Sequence, residues 1–316
     1  MTLTIDVVVP TYDGWELTER CLSHLQQQTV PHNVIVADDG STDGTPEAVV
    51  RDFPSARLVE TGGNSGFAIA CNRGAQAGDG DVIVLLNNDV DCPADFLERL
   101  VAPFAGDAEA GSVTAVLLQP DSGLLDSVGL TADRTLAGFP RHHGRPLAEA
   151  AVVSPVLTGP SGAAAAYRRS AWEDAGGLDE GVFFYLEDLD LALRLRSAGW
   201  KAAVALDARA VHRGGASIGR RSARQRRLAG FSRAYFLRRY GLLRTRAAPR
   251  VVITETAVVA ADALVTRDLQ AFGGRLEGWR AAGNRPRRPA PPGKAIEHSI
   301  GLLQSLRLRR SAVSAP

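Results

Sequence analysis

The chain opens with short, largely apolar runs alternating with stretches whose apolar residues recur at helical spacing. Ile5 to Val9 is followed by Leu17 to Leu25, Val34 to Ala37 by Pro46 to Phe53, Arg57 to Glu60 by Phe67 to Ala77, and Val82 to Leu86 by Phe96 to Phe104. A run of four or five apolar residues suits a buried strand, and the 3.6-residue period of the intervening stretches suits a helix with one apolar face. Repetition of that pair predicts an α/β fold, a twisted and mostly parallel sheet with helices on both faces and right-handed crossovers. Gly111 to Leu118 reads as a fifth strand. From Gln119 to Pro160 the periodicity breaks up into Gly, Pro, His and Arg, which predicts a long loop or a small hairpin insertion. Order returns with a strand at Ala163 to Tyr167, a short helix at Ser170 to Ala175, a helix at Asp188 to Ala198 stopped by Gly199-Trp200, and a strand at Ala202 to Leu206. Beyond Gly215 the chain is helical and basic to about Tyr240, and Thr254 to Phe272 predicts a further amphipathic helix. Arg285 to Pro292 reads as a Pro/Arg linker and Ile296 to Leu308 as a last amphipathic piece.

With 316 residues, 45% apolar and 22% charged, the chain can bury one large core or two modest ones, which excludes disorder, collagen and coiled coil as whole-chain answers. No stretch reaches the ~18 to 20 apolar residues of a spanning helix, and Val251 to Val265 is interrupted by Glu255 and Asp262. Met1-Thr2-Leu3-Thr4 lacks the basic and apolar regions of a signal peptide, and Cys21, Cys71 and Cys92 follow no motif, so a reducing cytoplasmic home is expected. Charge changes the picture more. Up to His212 there are 14 basic against 30 acidic residues, and beyond it 22 against 5, so a net charge of +1 conceals halves of −16 and +17. Arg213 to Arg250 holds 12 Arg and no acid, which suits a phosphate group, an anionic lipid surface or nucleic acid.

Each early strand ends in polar residues: Thr11-Tyr12-Asp13, Asp38-Asp39-Gly40-Ser41, Thr61-Gly62-Gly63-Asn64 and Asn87-Asn88-Asp89-Val90-Asp91. In an open α/β sheet the carboxyl ends of the strands border the ligand crevice. Acids gathered on one rim repel one another unless a cation or a hydrogen-bonding ligand is present, so a nucleoside diphosphate with Mg²⁺ or Mn²⁺ fits that edge.

Five segments in order, Val7-Val8-Val9-Pro10-Thr11-Tyr12, Val36-Ala37-Asp38-Asp39-Gly40-Ser41-Thr42-Asp43-Gly44-Thr45, Asn64-Ser65-Gly66-Phe67 with Asn72-Arg73-Gly74, Leu85-Leu86-Asn87-Asn88-Asp89-Val90 and Tyr185-Leu186-Glu187-Asp188-Leu189-Asp190-Leu191, resemble the family 2 glycosyltransferases of the GT-A fold, within them the bacterial rhamnosyltransferase-like branch. The resemblance spans about residues 5 to 241 and implies a GT-A, Rossmann-like mixed sheet. It divides the chain into a catalytic domain over 1–215, with a nucleotide-sugar half at 1–110 and an acceptor half at 111–215, a basic helical extension over 216–284, and a linker and terminal segment over 285–316.

The same resemblance assigns roles. Asp39 is expected on the nucleoside of the donor, with Thr11 and Tyr12 beside it, because a carboxylate accepts an imide N–H or a ribose hydroxyl; a plain turn, with Thr42 or Asp43 capping the next helix, explains Asp38 to Gly44 equally well on its own. Asn64, Gly66, Asn72, Arg73 and Asn88 are expected around the diphosphate, the first two as a loop before a helix whose free amides favour phosphate, although a simple helix start is an equal reading. The family's metal-binding Asp-x-Asp corresponds to Asn87-Asn88-Asp89, so Asp89, with Asp91 two residues on, is expected to hold the ion; the replacement of the first acid by Asn87 weakens the site and leaves part of the ion to the donor's phosphates. His212 is expected to complete it, against the plain alternative of a structural histidine. In Glu187-Asp188-Leu189-Asp190, acids at a helix start complement its dipole, and Asp190 is placed to pair with Arg194. Asp188 and Glu187 then face the crevice, and the resemblance makes Asp188 the base that takes the acceptor's proton.

The implied reaction is inverting transfer of a sugar, rhamnose among the candidates, from a dTDP- or UDP-sugar to a hydroxyl of a glycan or polyprenyl-diphosphate-linked acceptor in envelope or polysaccharide synthesis. Arg220, Arg221, Arg224, Arg226 and Arg227 are candidates for phosphate contact. Phe231, Tyr235, Phe236, Leu242 and Leu243 among Arg233, Arg238 and Arg239 resemble an interfacial helix, which predicts peripheral contact with the inner face of the membrane. Gln119 to Pro160 or Arg213 to Arg227 is a candidate lid. The alternative from a different class is a non-catalytic nucleotide-sugar-binding homologue that organises partners through its Arg-rich tail. A nucleic-acid partner is not expected, since the Arg run lacks the interleaved aromatics of such a module.

Overall fold

The computed structural model describes residues 3–214 and 222–314. The first hundred residues alternate as their pattern predicts. β1 (Ile5–Thr11), β2 (Asn33–Asp38), β3 (Arg57–Glu60) and β4 (Val82–Leu86) pair in parallel, joined by α1 (Trp15–Leu25), α2 (Thr45–Asp52) and α3 (Phe67–Ala77). β1 and β4 are buried on both faces, so their side chains are aliphatic almost throughout. α3 lies so close to β1 that a Cβ on Gly74 would come within 2.3 Å of Val8 Cγ1. The one helix expected from Phe96 to Phe104 is two, α4 (Phe96–Val101) and α5 (Pro103–Gly106), which follow β5 (Val90–Asp91). Pro103 has no N–H to continue the helical ladder.

β6 (Ala110–Leu118) leads into the irregular segment, which contains β7 (Leu125–Ser127), paired antiparallel to β6, and a hairpin of β8 (Leu130–Ala132) and β9 (Gly138–Pro140). β10 (Ala164–Arg168) runs antiparallel between β4 and β6 and is followed by α6 (Arg169–Ala175) and α7 (Glu187–Ser197). The sequence suggested a five-residue strand at Ala202 to Leu206. β11 instead covers Lys201–His212, with irregularities in register at Lys201/Ala202 and Val204/Arg209 that absorb its polar stretch. The sheet order is β3-β2-β1-β4-β10-β6-β11-β5. Order reverses around β1, and the carboxyl ends of β1, β2 and β4 share one rim with the start of the antiparallel β10. A crevice is expected at that switch point.

The basic C-terminal region shares a core with the rest. α8 (Ala223–Arg239), capped by Ser222 whose Oγ accepts from Gln225 N at 3.1 Å, packs against α10 (Gln270–Ala281), with Gly274 against the backbone of Arg227 and Gly278 against that of Phe231. The helix expected over Thr254 to Phe272 is divided into α9 (Ala248–Thr266) and α10. Arg267 takes a left-handed φ of 56°, and the Asp268 carboxylate accepts from Gln270 N at 3.0 Å to start the second helix. The last helix, α11, covers Leu302–Ser314 and not Ile296 to Leu308, because Ile296 is buried in the core and Glu297 is engaged by its neighbours: its N–H bonds Ala132 O and its carboxylate accepts from Val156 N.

One apolar cluster joins Leu130, Leu136, Leu189, Leu193, Phe236, Tyr240, Leu242, Val251 and Ile296, so the hairpin, α7 and the C-terminal helices bury the same surface. That overturns the interfacial role expected of α8: Tyr235, Phe236 and Leu242 are core residues, and Leu243 alone of the five is exposed, with Phe231 partly buried. The arginines of α8 are also largely answered from within the chain. Arg226 pairs with Asp262 and Asp268, Arg227 with Glu277, Arg233 with Glu255 at 2.8 Å and Arg239 with Asp179 at 2.8 Å, while Arg238 lies over the Trp279 ring. Arg226 is thus held within the chain, whereas Arg227 makes its ion pair at the surface. The Pro/Arg linker is tied down too, with Arg288 on both Asp179 and Asp190. Arg220, Arg221 and much of the Arg213 to Arg227 lid lie outside the described residues.

Candidate active site

The rim holds an open cleft lined by Pro10 and Thr11 of β1, Tyr12 and Asp39 just beyond β1 and β2, Asn64 and Gly66 before α3, Phe67 and Ala70 on it, Asn88, and Phe183, Phe184 and Arg224. Of the expected donor residues it gathers Thr11, Tyr12, Asp39, Asn64, Gly66 and Asn88. Thr11 Oγ1 bonds Thr18 Oγ1 at 2.8 Å, and Asn88 donates to that same Thr18 oxygen at 3.1 Å, so β1, α1 and the end of β4 are tied together beneath the cleft.

Asp39 is the hub of this floor. Its Oδ1 accepts from Thr61 Oγ1 at 2.8 Å and from Ser65 N at 2.9 Å, and its Oδ2 accepts from Gly66 N at 2.7 Å. A carboxylate oxygen offers two lone pairs, so Oδ2 keeps one acceptor position toward the cleft. The same bonds alter the expectation for the phosphate loop. The amides of Ser65 and Gly66 belong to Asp39 and that of Phe67 donates to Phe183 O at 3.1 Å, so these three N–H groups are not available to phosphate. Gly66 is needed for space: it has φ 106°, and a Cβ there would lie 2.7 Å from Phe183 O. Asp38 and Asp43 satisfy the turn reading instead. Asp38 Oδ2 takes the amides of Gly40 and Ser41, and Asp43 takes those of Gly14 and Thr45, which holds the Asp43 carboxyl down at about 2 against the upward push of desolvation.

Two expected donor contacts lie elsewhere. Asn72 is buried and donates to Leu178 O at 3.0 Å and to Glu180 Oε1 at 2.9 Å, accepting from Leu178 N in return, so it ties α3 to the loop before α7. Arg73 is exposed on α3 and is not among the residues lining the cleft. Arg224, from the first turn of α8, does line it, its guanidinium 5.8 Å from the centre of the Phe183 ring.

Beside Asn88, the extra length of β11 brings His212 opposite Val90 in the β11–β5 pairing. His212 Nδ1 donates to Asp126 Oδ2 at 2.8 Å, and its Nε2 lies 3.5 Å from Asp89 Oδ1. That Asp89 oxygen is buried and has no hydrogen-bond partner among the described residues, and the same holds for Asn87 Oδ1. Burial pulls the His212 pKa down, but Asp126 and Asp89 outweigh it and lift the imidazole to about 10. Asp126, on β7, also contacts His143, whose Nδ1 bonds its backbone carbonyl at 2.8 Å; the two histidines overcome the desolvation of the carboxyl and hold it well below the usual range. Asp91 is committed differently, its Oδ2 accepting from Arg20 and from Arg213. Among the described residues no three His, Cys, Asp or Glu side chains gather as a ligand set. The buried Asp89 oxygen, 3.5 Å from Nε2, fits a divalent ion held by two protein groups once the ion displaces the Nε2 proton, with oxygens of a bound diphosphate as the remaining ligands.

The acid pair starts α7, directly after Tyr185 and Leu186, both with left-handed φ of 73° and 67°. Two consecutive non-glycine residues in that region are strained, and such strain gathers where a side chain must be aimed. Asp188 is partly exposed; it accepts from Gly162 N at 3.1 Å and from Leu189 N at 2.7 Å. Gly162 adjoins Ala163, whose carbonyl takes Asn87 N at 2.9 Å, so Asp188 sits on the same rim as Asn87, Asn88 and Asp89. Glu187 is buried, and its Oε2 has no hydrogen-bond partner among the described residues. Desolvation raises both carboxyls, and the charge of Asp188 raises Glu187 further, to about 8, whereas two amides partly restrain Asp188. The pair therefore shares its charge unequally: Asp188 ionises first and Glu187 keeps its proton at neutral pH. Asp190 has the structural role that its spacing predicted, with Arg194 Nε at 2.7 Å.

A family model, Glycosyl transferase family 2, matches residues 6–176. The chain is 32% identical over 243 residues to the N-acetylglucosaminyl-diphospho-decaprenol L-rhamnosyltransferase of Mycobacterium tuberculosis, covering 70% of this chain and 79% of that one. The chain belongs to glycosyl transferase family 2. It is also 26% identical over 215 residues to an O-antigen chain rhamnosyltransferase of Salmonella typhimurium, covering 65% of each. The fold matches that of a mannosyltransferase of Pyrobaculum calidifontis, solved with GDP-Man and Mn²⁺, at a TM-score of 0.56 and 21% identity over 98% of this chain and 86% of that one. The family 2 enzyme thus has the mixed, mostly parallel GT-A sheet expected of it. Sequence reasoning missed Asp126, His143 and Phe183. Asp126 and His143 lie in the segment without periodicity, where no motif marks them, and Phe183 precedes the aromatic pair Phe184-Tyr185 that borders the acid motif.

Proposed function

We propose that this family 2 enzyme transfers a sugar with inversion from a dTDP- or UDP-sugar to a hydroxyl of a glycan or polyprenyl-diphosphate-linked acceptor in cell-envelope or polysaccharide synthesis. Rhamnose is the proposed sugar, because the two relatives named above are rhamnosyltransferases. The observation that carries the reading is a cleft built from strand ends, with the partly exposed Asp188, whose pKa is raised, bonded to Gly162 next to the Ala163 carbonyl that takes Asn87 N. Asp188 takes the proton of the acceptor hydroxyl. The acceptor oxygen then attacks the anomeric carbon from the face opposite the nucleoside diphosphate, the bond to the leaving phosphate oxygen breaks, and the configuration inverts. Glu187, neutral beside it, leaves Asp188 as the base. Tyr12, Asn64 and the free lone pair of Asp39 bind the nucleoside, and Arg224 receives the diphosphate. Asp89 and His212 would hold Mg²⁺ or Mn²⁺, which when bound supplies Lewis-acid stabilisation of the leaving diphosphate. Phe183, Phe184 and Tyr185 limit water at the reacting centre.

The test is transfer from a panel of dTDP- and UDP-sugars to a lipid-linked disaccharide precursor, with Mn²⁺ and with chelator, the product's anomeric configuration being read by NMR. Transfer from dTDP-rhamnose with inverted configuration is expected. Retained configuration, or transfer only from a donor with another nucleotide, overturns the reading.

A further inference from the structure

The outer face of α9 is apolar over its length and is left exposed by the described residues. Its exposed positions are Val252, Ile253, Thr256, Ala257, Ala260, Ala261, Leu264 and Val265, a strict helical stripe without a single charge over about 20 Å. Leu264 and Val265 are 80% and 83% exposed, and the apolar surface continues through Leu269 at the turn to Phe272 and Leu276 of α10. A solvated helix carries its charges on such a face, and a continuous exposed apolar surface marks a place of contact.

Charge decides what covers it. The four acids of these two helices and the turn between them are all answered by arginines: Glu255 by Arg233, Arg275 and Arg309, Asp262 and Asp268 by Arg226, and Glu277 by Arg227. The exposed charged residues around the stripe are Arg244 and Arg246 before α9, Arg267 at its end and Arg280 on α10. A second copy laid antiparallel on this face would set Arg244 and Arg246 against Arg267, like charge on like charge. An anionic surface has no such conflict. No helix among the described residues is long and apolar enough to cross a membrane, so contact of α9 with a bilayer would be at its surface.

We propose that the exposed face of α9, continued by Leu269, Phe272 and Leu276, docks on an anionic lipid bilayer, the aliphatic stripe entering the headgroup boundary and the surrounding arginines meeting lipid phosphates. The surface differs from the α8 residues that the sequence suggested, which are core, and the proposal stands independently of which sugar the enzyme transfers. The experiment is co-sedimentation of the full chain with vesicles of phosphatidylglycerol mixed with phosphatidylcholine, against phosphatidylcholine alone, for the wild type and Leu264→Glu/Val265→Glu. Both substituted positions are highly exposed, so the variant is expected to keep the wild-type circular dichroism and melting temperature. Wild-type binding to the anionic vesicles, weakened at least about tenfold by the double substitution and by high salt, and a monomer without lipid, are the expected results. No binding to anionic vesicles, equal binding by wild type and variant, or a lipid-free dimer that the variant dissolves would overturn the proposal, the last by assigning the face to a second copy. Donor binding measured on the same samples separates failure here from failure of the transferase reading.

Discussion

Asp188→Asn is expected to lower the turnover of sugar transfer on the order of 10²- to 10⁴-fold while leaving the affinity for the nucleotide sugar within about twofold of wild type. An amide cannot take the acceptor's proton, but it can still accept the Gly162 N–H that anchors the side chain, so the helix start should survive. Stopped-assay turnover and donor calorimetry on the same preparation check the split; a turnover loss smaller than about tenfold would remove Asp188 as the base. Glu187→Gln has a different signature. Glu187 is an acid whose folded pKa is raised from 4.5 to about 8, so the folded chain binds the extra proton between those values. Its contribution to stability is fully present below pH 4.5 and is lost as the pH rises through about 8. Removing the ionisable group removes that loss. The melting temperature of Glu187→Gln relative to wild type should therefore climb between pH 5 and 8 and level off above, and a gap constant with pH would mean that Glu187 is not protonated in the folded enzyme.

Asp126→Asn is expected to weaken Mn²⁺ binding about 10- to 100-fold in the presence of a nucleoside diphosphate, although Asp126 does not face the ion. Its carboxylate takes the Nδ1 proton of His212 and so turns Nε2 toward the unpartnered Asp89 oxygen, while its contacts with His143 fix the β7 segment. An Asn can present its N–H₂ to the imidazole and favour the wrong tautomer. Electron paramagnetic resonance titration of Mn²⁺ reads the affinity without depending on turnover. His143→Gln, which removes one of the two histidines on Asp126, should give a smaller effect. Unchanged Mn²⁺ affinity in Asp126→Asn would show that the histidine is not positioned by this bond.

The strands and helices of the first hundred residues were legible because each buries one repetitive face: the continuous aliphatic runs of β1 and β4 and the period of α3 fix their type, and α3 has the predicted limits at Phe67 and Ala77. Elements set by long-range pairing were not. β11 extends to His212 because β5 and β6 offer partners to a strand that contains Asp207 and Arg209, and neither residue signals a strand locally. The helix break at Arg267 depends on the Asp268 side chain, and propensity alone runs through it. Within the site, residue types were readable and commitments were not. Asp39 lines the cleft, while Asp89, His212 and Asp188 are not among its lining residues, and a sequence does not reveal that Asp39 commits three hydrogen bonds to the chain, that Asn72 ties α3 to Leu178, or that Asp91 is shared by two arginines. The Arg-rich run misled for the same reason: its acidic partners lie 22 to 122 residues away along the chain and meet it only in the fold.

The cleft between Tyr12, Asp39, Asn64 and Arg224 is the proposed nucleotide-sugar site of this enzyme. Isothermal titration of the full chain with dTDP- and UDP-sugars in Mn²⁺ tests it most directly. Saturable binding of one sugar nucleotide per chain, in the micromolar to millimolar range usual for enzyme substrates and weakened by Arg224→Ala, is the predicted result. Absence of binding by every donor at millimolar concentration, or binding indifferent to Arg224→Ala and to substitution of Tyr12, would contradict it.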